Sequence, residues 1–169
     1  MQIEYIFSCW QCIIKVLILL ALANGMPVLL RNILGSRLVW PVDFGLVFLD
    51  KRPLFGYSKT WRGIFSSIIV TSFLAPWFGL TATNGALFAL LVMVGDLTAS
   101  FIKRRLCYEE SSRLRVIDVF PESLLPVFIL RQDLGLTIIE GFITVTLFFI
   151  FEVVLSPILF RLHIRKRPY

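Results

Sequence analysis

The sequence predicts an all-α polytopic membrane protein: one domain, residues 1–169, folded as a bundle of about five transmembrane helices with cytoplasmic loops. Three observations predict it. Hydrophobic residues fill 57% of the chain, charged residues only 17%, and mean hydropathy is +0.83, whereas a soluble domain carries about 25% charged residues. Four stretches reach the roughly 17–25 apolar residues that a helical crossing requires. The Lys and Arg residues also fall into a few blocks separated by those stretches.

The first apolar segment covers about 5–30, with Lys15 as an internal charge, and Asn24-Gly25-Met26-Pro27 near its end marks a kink or break. It reads as a span and not as a cleavable leader, because no basic residues precede it and the apolar run is too long. Residues 31–59 form a long cytoplasmic loop with turn punctuation and charges. Trp40, Phe44, Phe48 and Phe55 interleave with that polarity and argue for an ordered, functional loop over a disordered one. A second span follows at about 60–78. Thr83-Asn84-Gly85 is the tightest turn signal in the chain, with a third span at about 86–106. After a second cytoplasmic loop, 107–115, comes a shorter apolar segment at 116–130, broken by Pro121 and Pro126. Arg131 to Gly135 reads as a turn, 136–159 as the fifth span, and 161–169 as a cytoplasmic basic tail.

Five crossings place the loops alternately on two sides, and the charge pattern tests that count. The side holding 31–62, 103–115 and 161–169 carries every one of the 17 Lys and Arg residues except Arg131 and Lys15. Basic loops stay in the cytoplasm, so the N-terminus lies outside the cell membrane and the C-terminus inside. Four crossings would put the basic tail opposite two basic loops. The net charge of +6 is therefore read as topology and head-group contact, with the lipid bilayer and not nucleic acid as partner. Cys9, Cys12 and Cys107 lack a second ligand pair or a disulfide framework and read as small fillers.

Asp96 is the most informative residue. It sits inside the third span, where an acid costs about 2.5–3.5 kcal/mol on insertion scales. Asp96, Ser100, Lys103 and Arg104 follow at i, i+4, i+7 and i+8, which places them on one face running toward the cytoplasmic rim. Lys59 and Arg62 flank Thr60-Trp61 at the entrance of the second span, where helix N-terminal amides and cationic side chains suit phosphate. Asp118 and Glu122 lie four apart at the start of the fourth span. Magnesium takes one or two carboxylates and completes its shell with phosphates and water, so acids beside paired basic residues are the inventory for a metal-bridged polyphosphate. Helix capping is the competing reading for Asp118 and Glu122, and a snorkelling anchor for Lys59 and Arg62. In the last span Glu140 lies near the outer end, where it can snorkel, and Glu152, nearer the inner end, admits either pairing within the bundle or a minor site role. His163 belongs to the basic tail, and no nucleophile–His–acid set or Walker loop is present.

Asn24-Gly-Met-Pro27, Pro41-Val-Asp43-Phe-Gly45, Leu54-Phe-Gly56, Lys59-Thr-Trp-Arg-Gly63, Gly95-Asp-Leu97 and Ser100-Phe-Ile-Lys-Arg-Arg105 together resemble the CDP-archaeol synthase family of integral membrane cytidylyltransferases. The resemblance implies a five-helix fold and transfer of a cytidylyl group from CTP to the phosphate of a membrane lipid, giving a CDP-lipid and pyrophosphate with Mg²⁺. It carries the family's blocks onto Lys59, Trp61, Arg62 and Arg104 for the nucleotide and phosphates, onto Asp96, Lys103 and Asp118 for catalysis, and onto Asp96 and Asp118 for the metal. The chain departs from the family's pattern at Tyr57-Ser58 and Val119, which leaves the acceptor open between a phosphatidate-like and an ether-lipid phosphate. Two other classes compete: a small transporter or flippase using Lys15, Asp96, Glu140 and Glu152, and a non-catalytic scaffold binding anionic lipid. No internal repeat of the kind common in transporters is visible, and a scaffold would leave Asp96 unexplained.

Overall fold

The computed structural model describes the backbone of residues 2–108 and 115–161 and the side chains of 10–108 and 116–154. The basic tail and most of the second loop, with His163 and Arg113, lie outside the described residues. Five helices follow in order: α1 (Gln2–Leu34), α2 (Trp61–Leu74) continued by a 3₁₀ turn (Ala75–Phe78), α3 (Ala82–Arg105), α4 (Arg115–Ile129) and α5 (Ile138–Arg161). Among the described residues no strand forms, only isolated bridges joining Pro41 to Thr60 and Val47 to Pro53. Helix α3 is central and packs against α4, α2 and α1.

The distribution of polarity is that of a membrane bundle. Trp10–Leu34 and Ala82–Arg105 are long and apolar enough to cross a bilayer. Along α2 the outward residues are Phe65, Ile69 and Phe73, while Gly63, Ser67 and Thr71 are buried. Both sets repeat every four residues, so one face is large and apolar and the other small. Small residues let helices approach closely where lipid tails supply no hydrophobic drive between them. The Ser67 hydroxyl donates to the Ala23 carbonyl of α1 at 2.8 Å, and an added Cβ on Gly63 would stand 3.2 Å from Pro27. Ile13, Val16, Leu20, Phe88, Val92 and Phe148 form the apolar centre.

Three local expectations change. Helix α1 continues unbroken through Pro27 to Leu34, where a kink or break was expected at 24–27; Pro27 seats α1 against Gly63. The Thr83-Asn84-Gly85 turn is the first turn of α3. Thr81 caps that helix by accepting from the Asn84 amide at 3.1 Å, and the chain reverses at Gly79 (φ 83°). Gly85 serves close approach, since an added Cβ would lie 2.3 Å from Ala75 Cβ. Glu140 closes a reciprocal cap on α5: its carboxylate accepts from the Thr137 amide at 2.7 Å, and its own amide donates to the Thr137 hydroxyl at 3.3 Å.

The segment between α1 and α2 is ordered, as its aromatics suggested. The Val42 amide bonds to the Lys59 carbonyl and the Trp61 amide to the Trp40 carbonyl, while Leu54 bonds back to Leu46 and Phe48 to Arg52. Residues 46–54 thus make a small hairpin. Asp43, buried to 3% exposure, organises the rest. One carboxylate oxygen accepts from the amides of Phe55 and Gly56 at 2.9 and 3.0 Å, the other from Gly45 at 3.1 Å. Burial pushes this carboxyl upward, but the amides of Phe55, Gly56 and Gly45 prevail and hold it below the ordinary aspartate value.

Candidate active site

Helices α2, α3 and α4 meet at one end of the bundle, and their sequences put charge there. Lys59, two residues before α2, donates both ways across the Asp96 carboxylate, with Nζ 2.6 Å from each oxygen. Lys103, near the end of α3, pairs with Asp118 in the first turn of α4 at 2.6 Å. The site is therefore two crossed ion pairs linking three elements.

Close backbone approach brings the pairs together. An added Cβ on Gly95 would fall 2.3 Å from the Pro121 carbonyl and 2.5 Å from Glu122 Cα. Only a residue without Cβ lets α3 and α4 touch beside Asp96. Glu122, buried to 8% exposure, has Asp96, Asp118, Glu152 and Lys59 as its charged neighbours. Four carboxylates thus surround the same end of the bundle. Burial strengthens each of these interactions relative to water.

The structure brings together Lys59, Asp96, Lys103 and Asp118, but it does not add every expected residue to them. Ser100, Lys103 and Arg104 are buried on the inward face of α3. The Arg104 guanidinium donates to the Tyr108 carbonyl at 2.6 Å, while its Nε is buried without a hydrogen-bond partner. Trp61 stacks on Phe65, with ring centroids 5.7 Å apart, and its indole N–H is also buried without a partner. Arg62 points elsewhere: it donates to the carbonyls of Gly35 (3.0 Å) and Arg37, just past the last turn of α1. A cation there also sits near the negative end of the α1 dipole. These contacts tie the start of α2 to the segment that follows α1.

Asp43 and Arg105 carried no role in the sequence reading. The Arg105 guanidinium lies over the rings of both Phe48 and Phe101, 4.8 and 5.0 Å from their centroids. It donates to Asp50 and to the Pro53 carbonyl, so it fastens the 46–54 hairpin to the end of α3. Arg52 returns the contact by donating to the Arg104 carbonyl at 3.3 Å. The conspicuous Arg-Arg pair and the Asp in a Gly-flanked turn were the available signals.

Magnesium suits this donor set in a particular way. Among the described residues no three His, Cys, Asp or Glu side chains form a ready metal cage. Two carboxylates whose partners are lysine ammonium groups match an ion that takes one or two carboxylates and completes its shell with phosphate and water.

Comparisons with known proteins bear on the fold and the family. A family model described as CarS-like, CDP-archaeol synthase, matches residues 78–169. A CDP-archaeol synthase of Staphylothermus marinus is 29% identical over 95% of this chain and 86% of its own. One from Pyrobaculum calidifontis is 31% identical over 87% of this chain and 90% of its own. The solved structure of an intramembrane enzyme for archaeal membrane lipids biosynthesis superposes with TM-score 0.65 at 25% identity, covering 81% of this chain and 90% of that one. Asp96, Lys103 and Asp118 fall within the matched segment and Lys59 before it, the bundle matches an intramembrane enzyme, and the chain belongs to the CDP-archaeol synthase family.

Proposed function

We propose that this membrane cytidylyltransferase moves the cytidylyl group of CTP onto the phosphate of an ether-linked membrane lipid, releasing pyrophosphate. Family membership supports the reaction class, and the names of the relatives support the ether-lipid acceptor. The observation that carries the site assignment is the pair of crossed contacts Lys59–Asp96 and Lys103–Asp118.

In the reaction a lipid-phosphate oxygen forms a bond to the α-phosphorus of CTP. The bond from that phosphorus to the bridging oxygen breaks, and pyrophosphate leaves with the electron pair. The attacking phosphate is already ionised near neutral pH, so no general base is required. Positioning and charge neutralisation carry the catalysis. Asp96 and Asp118 would hold Mg²⁺, which when bound supplies positive charge to the phosphates. Lys59 and Lys103, displaced from their carboxylates, turn to phosphate oxygens. Arg104 and Trp61 each keep a buried donor without a partner, which suits them to contact the nucleotide. Nucleotide enters from the cytoplasm, on the side where the basic residues gather.

The transporter reading loses its path. Lys15 is exposed on the outside of α1 and Glu140 caps α5, so neither joins Asp96 in a common channel. Purified protein incubated with labelled CTP, Mg²⁺ and matched ether- and diacyl-glycerol phosphates is expected to convert the ether lipid preferentially. Asp96→Asn should lower turnover by about 10²–10³-fold while eluting as a folded species. Full activity in that variant refutes the site, and preference for the diacyl acceptor refutes the lipid assignment.

A further inference from the structure

The loop between α1 and α2 carries an unusual surface. Leu38, Val39, Trp40, Phe44, Leu46, Val47, Phe48 and Leu49 are all exposed, with Leu49 at 93%, Phe44 at 73%, Trp40 at 64% and Leu46 at 63%. A water-facing loop seldom shows so many large apolar groups in a contiguous stretch. The loop is also not free to fold them away. Asp43 pins it from within, and Leu38, Phe44 and Lys51 hold left-handed backbone (φ 54°, 48° and 60°), a conformation that bulky side chains rarely adopt.

Its height relative to the bundle is fixed as well. Arg105 binds Asp50 and Pro53, and Arg52 binds the Arg104 carbonyl, so the hairpin lies level with the last turn of α3. The same loop leaves α1 at Leu34 and enters α2 at Trp61. It therefore sits in the plane where the spans end, which is the interfacial zone of the bilayer. Arg37 and Lys51 are exposed beside the apolar residues, the combination that binds anionic head groups while apolar side chains enter the acyl boundary.

We propose that residues 38–49 form an interfacial anchor, inserted into the leaflet on the active-site side, with the anionic lipid surface as its occupant. The anchor continues the lipid-facing surface of the helices. It joins the site through pairing of 40–42 with 59–61, so Lys59 is held at a fixed depth beneath the head groups. This inference rests on the membrane fold and is independent of which lipid is the acceptor.

The test is a depth measurement on full-length protein in phosphatidylglycerol-containing vesicles. Nitroxide labels are placed at Leu46→Cys and Leu49→Cys in a background with Cys9, Cys12 and Cys107 replaced, with Gln132→Cys in the exposed α4–α5 turn as the aqueous reference. Labels at 46 and 49 are expected to collide with oxygen and to be shielded from a water-soluble nickel chelate by at least several-fold relative to 132. Nickel access equal to the reference overturns the proposal. Shielding from both reagents with dipolar broadening also overturns it, because a second copy of the chain then covers the loop. The readout does not use activity, so failure of the acceptor assignment would leave it standing.

Discussion

At the scale of single residues, the site depends on which lysine meets which acid. Asp96 and Lys103 share a face of α3, yet seven positions separate them by about 10.5 Å along a helix axis. They face the same site without touching. Each acid takes its partner from another element, Lys59 for Asp96 and Lys103 for Asp118. The sequence supplied the inventory of charges but not this crossing. Arg62 shows the same limit, because its closeness to Lys59 in the chain does not give it the same direction. Lys59 stands before the helix and turns toward α3, whereas Arg62 lies within α2 and reaches back to the end of α1. Lys59→Ala is expected to raise the KM for CTP by about tenfold or more, the effect of losing one charge-assisted phosphate contact. Arg62→Ala should leave that KM near its original value and lower thermal stability by about 1 kcal/mol. Equal loss of CTP affinity in both variants would return Arg62 to the phosphate site.

At the scale of elements, glycine and aspartate do work that local pattern alone does not reveal. Gly95 precedes the most informative acid, yet the requirement for it comes from α4, whose backbone would collide with any Cβ. Overpacking of this kind costs about 1–3 kcal/mol. Gly95→Ala should therefore lower both stability and turnover, whereas alanine at Gly25, which has open space around it, should cost little; thermal unfolding in detergent compares the two. Thr83-Asn84-Gly85 has a related ambiguity: glycine near a helix start can mark close packing, as it does here against Ala75, as readily as a turn.

Asp43 was legible only as part of a motif, since its partners are backbone amides up to thirteen residues away. Its carboxyl lies below the ordinary value of 3.8, so the ionised form is favoured in the folded loop. That contribution is complete above pH ~4 and is lost as pH falls through the depressed folded value. Hydrogen exchange at Gly45, Phe55 and Gly56 should show protection near neutrality that weakens below that range. Asp43→Asn should show the weakened state at every pH, because an amide nitrogen cannot accept from those donors. Protection independent of both pH and substitution would remove Asp43 as the organiser of the loop.

At the scale of the whole molecule, the number of crossings and the side of the site are one question. The five helices, their lipid-facing apolar surface and the family likeness agree with the hydropathy pattern, because burial in lipid makes long apolar segments legible without an alignment. The loop surface was less legible, since its aromatic residues suit a packed core and a membrane interface equally well until exposure is known. Sidedness follows from basic residues that orient a helical protein during insertion. With an odd number of crossings, the turn holding Gln132 and Asp133 must lie opposite Cys107 at the end of α3. In sealed cells, a membrane-impermeant maleimide should label Gln132→Cys in a cysteine-replaced background. The native Cys107, exposed at the other end of the bundle, should react only after the membrane is opened. The reverse pattern would put Lys59, Asp96, Lys103 and Asp118 on the outer face, away from cytoplasmic CTP, and would refute the proposed orientation and nucleotide supply together.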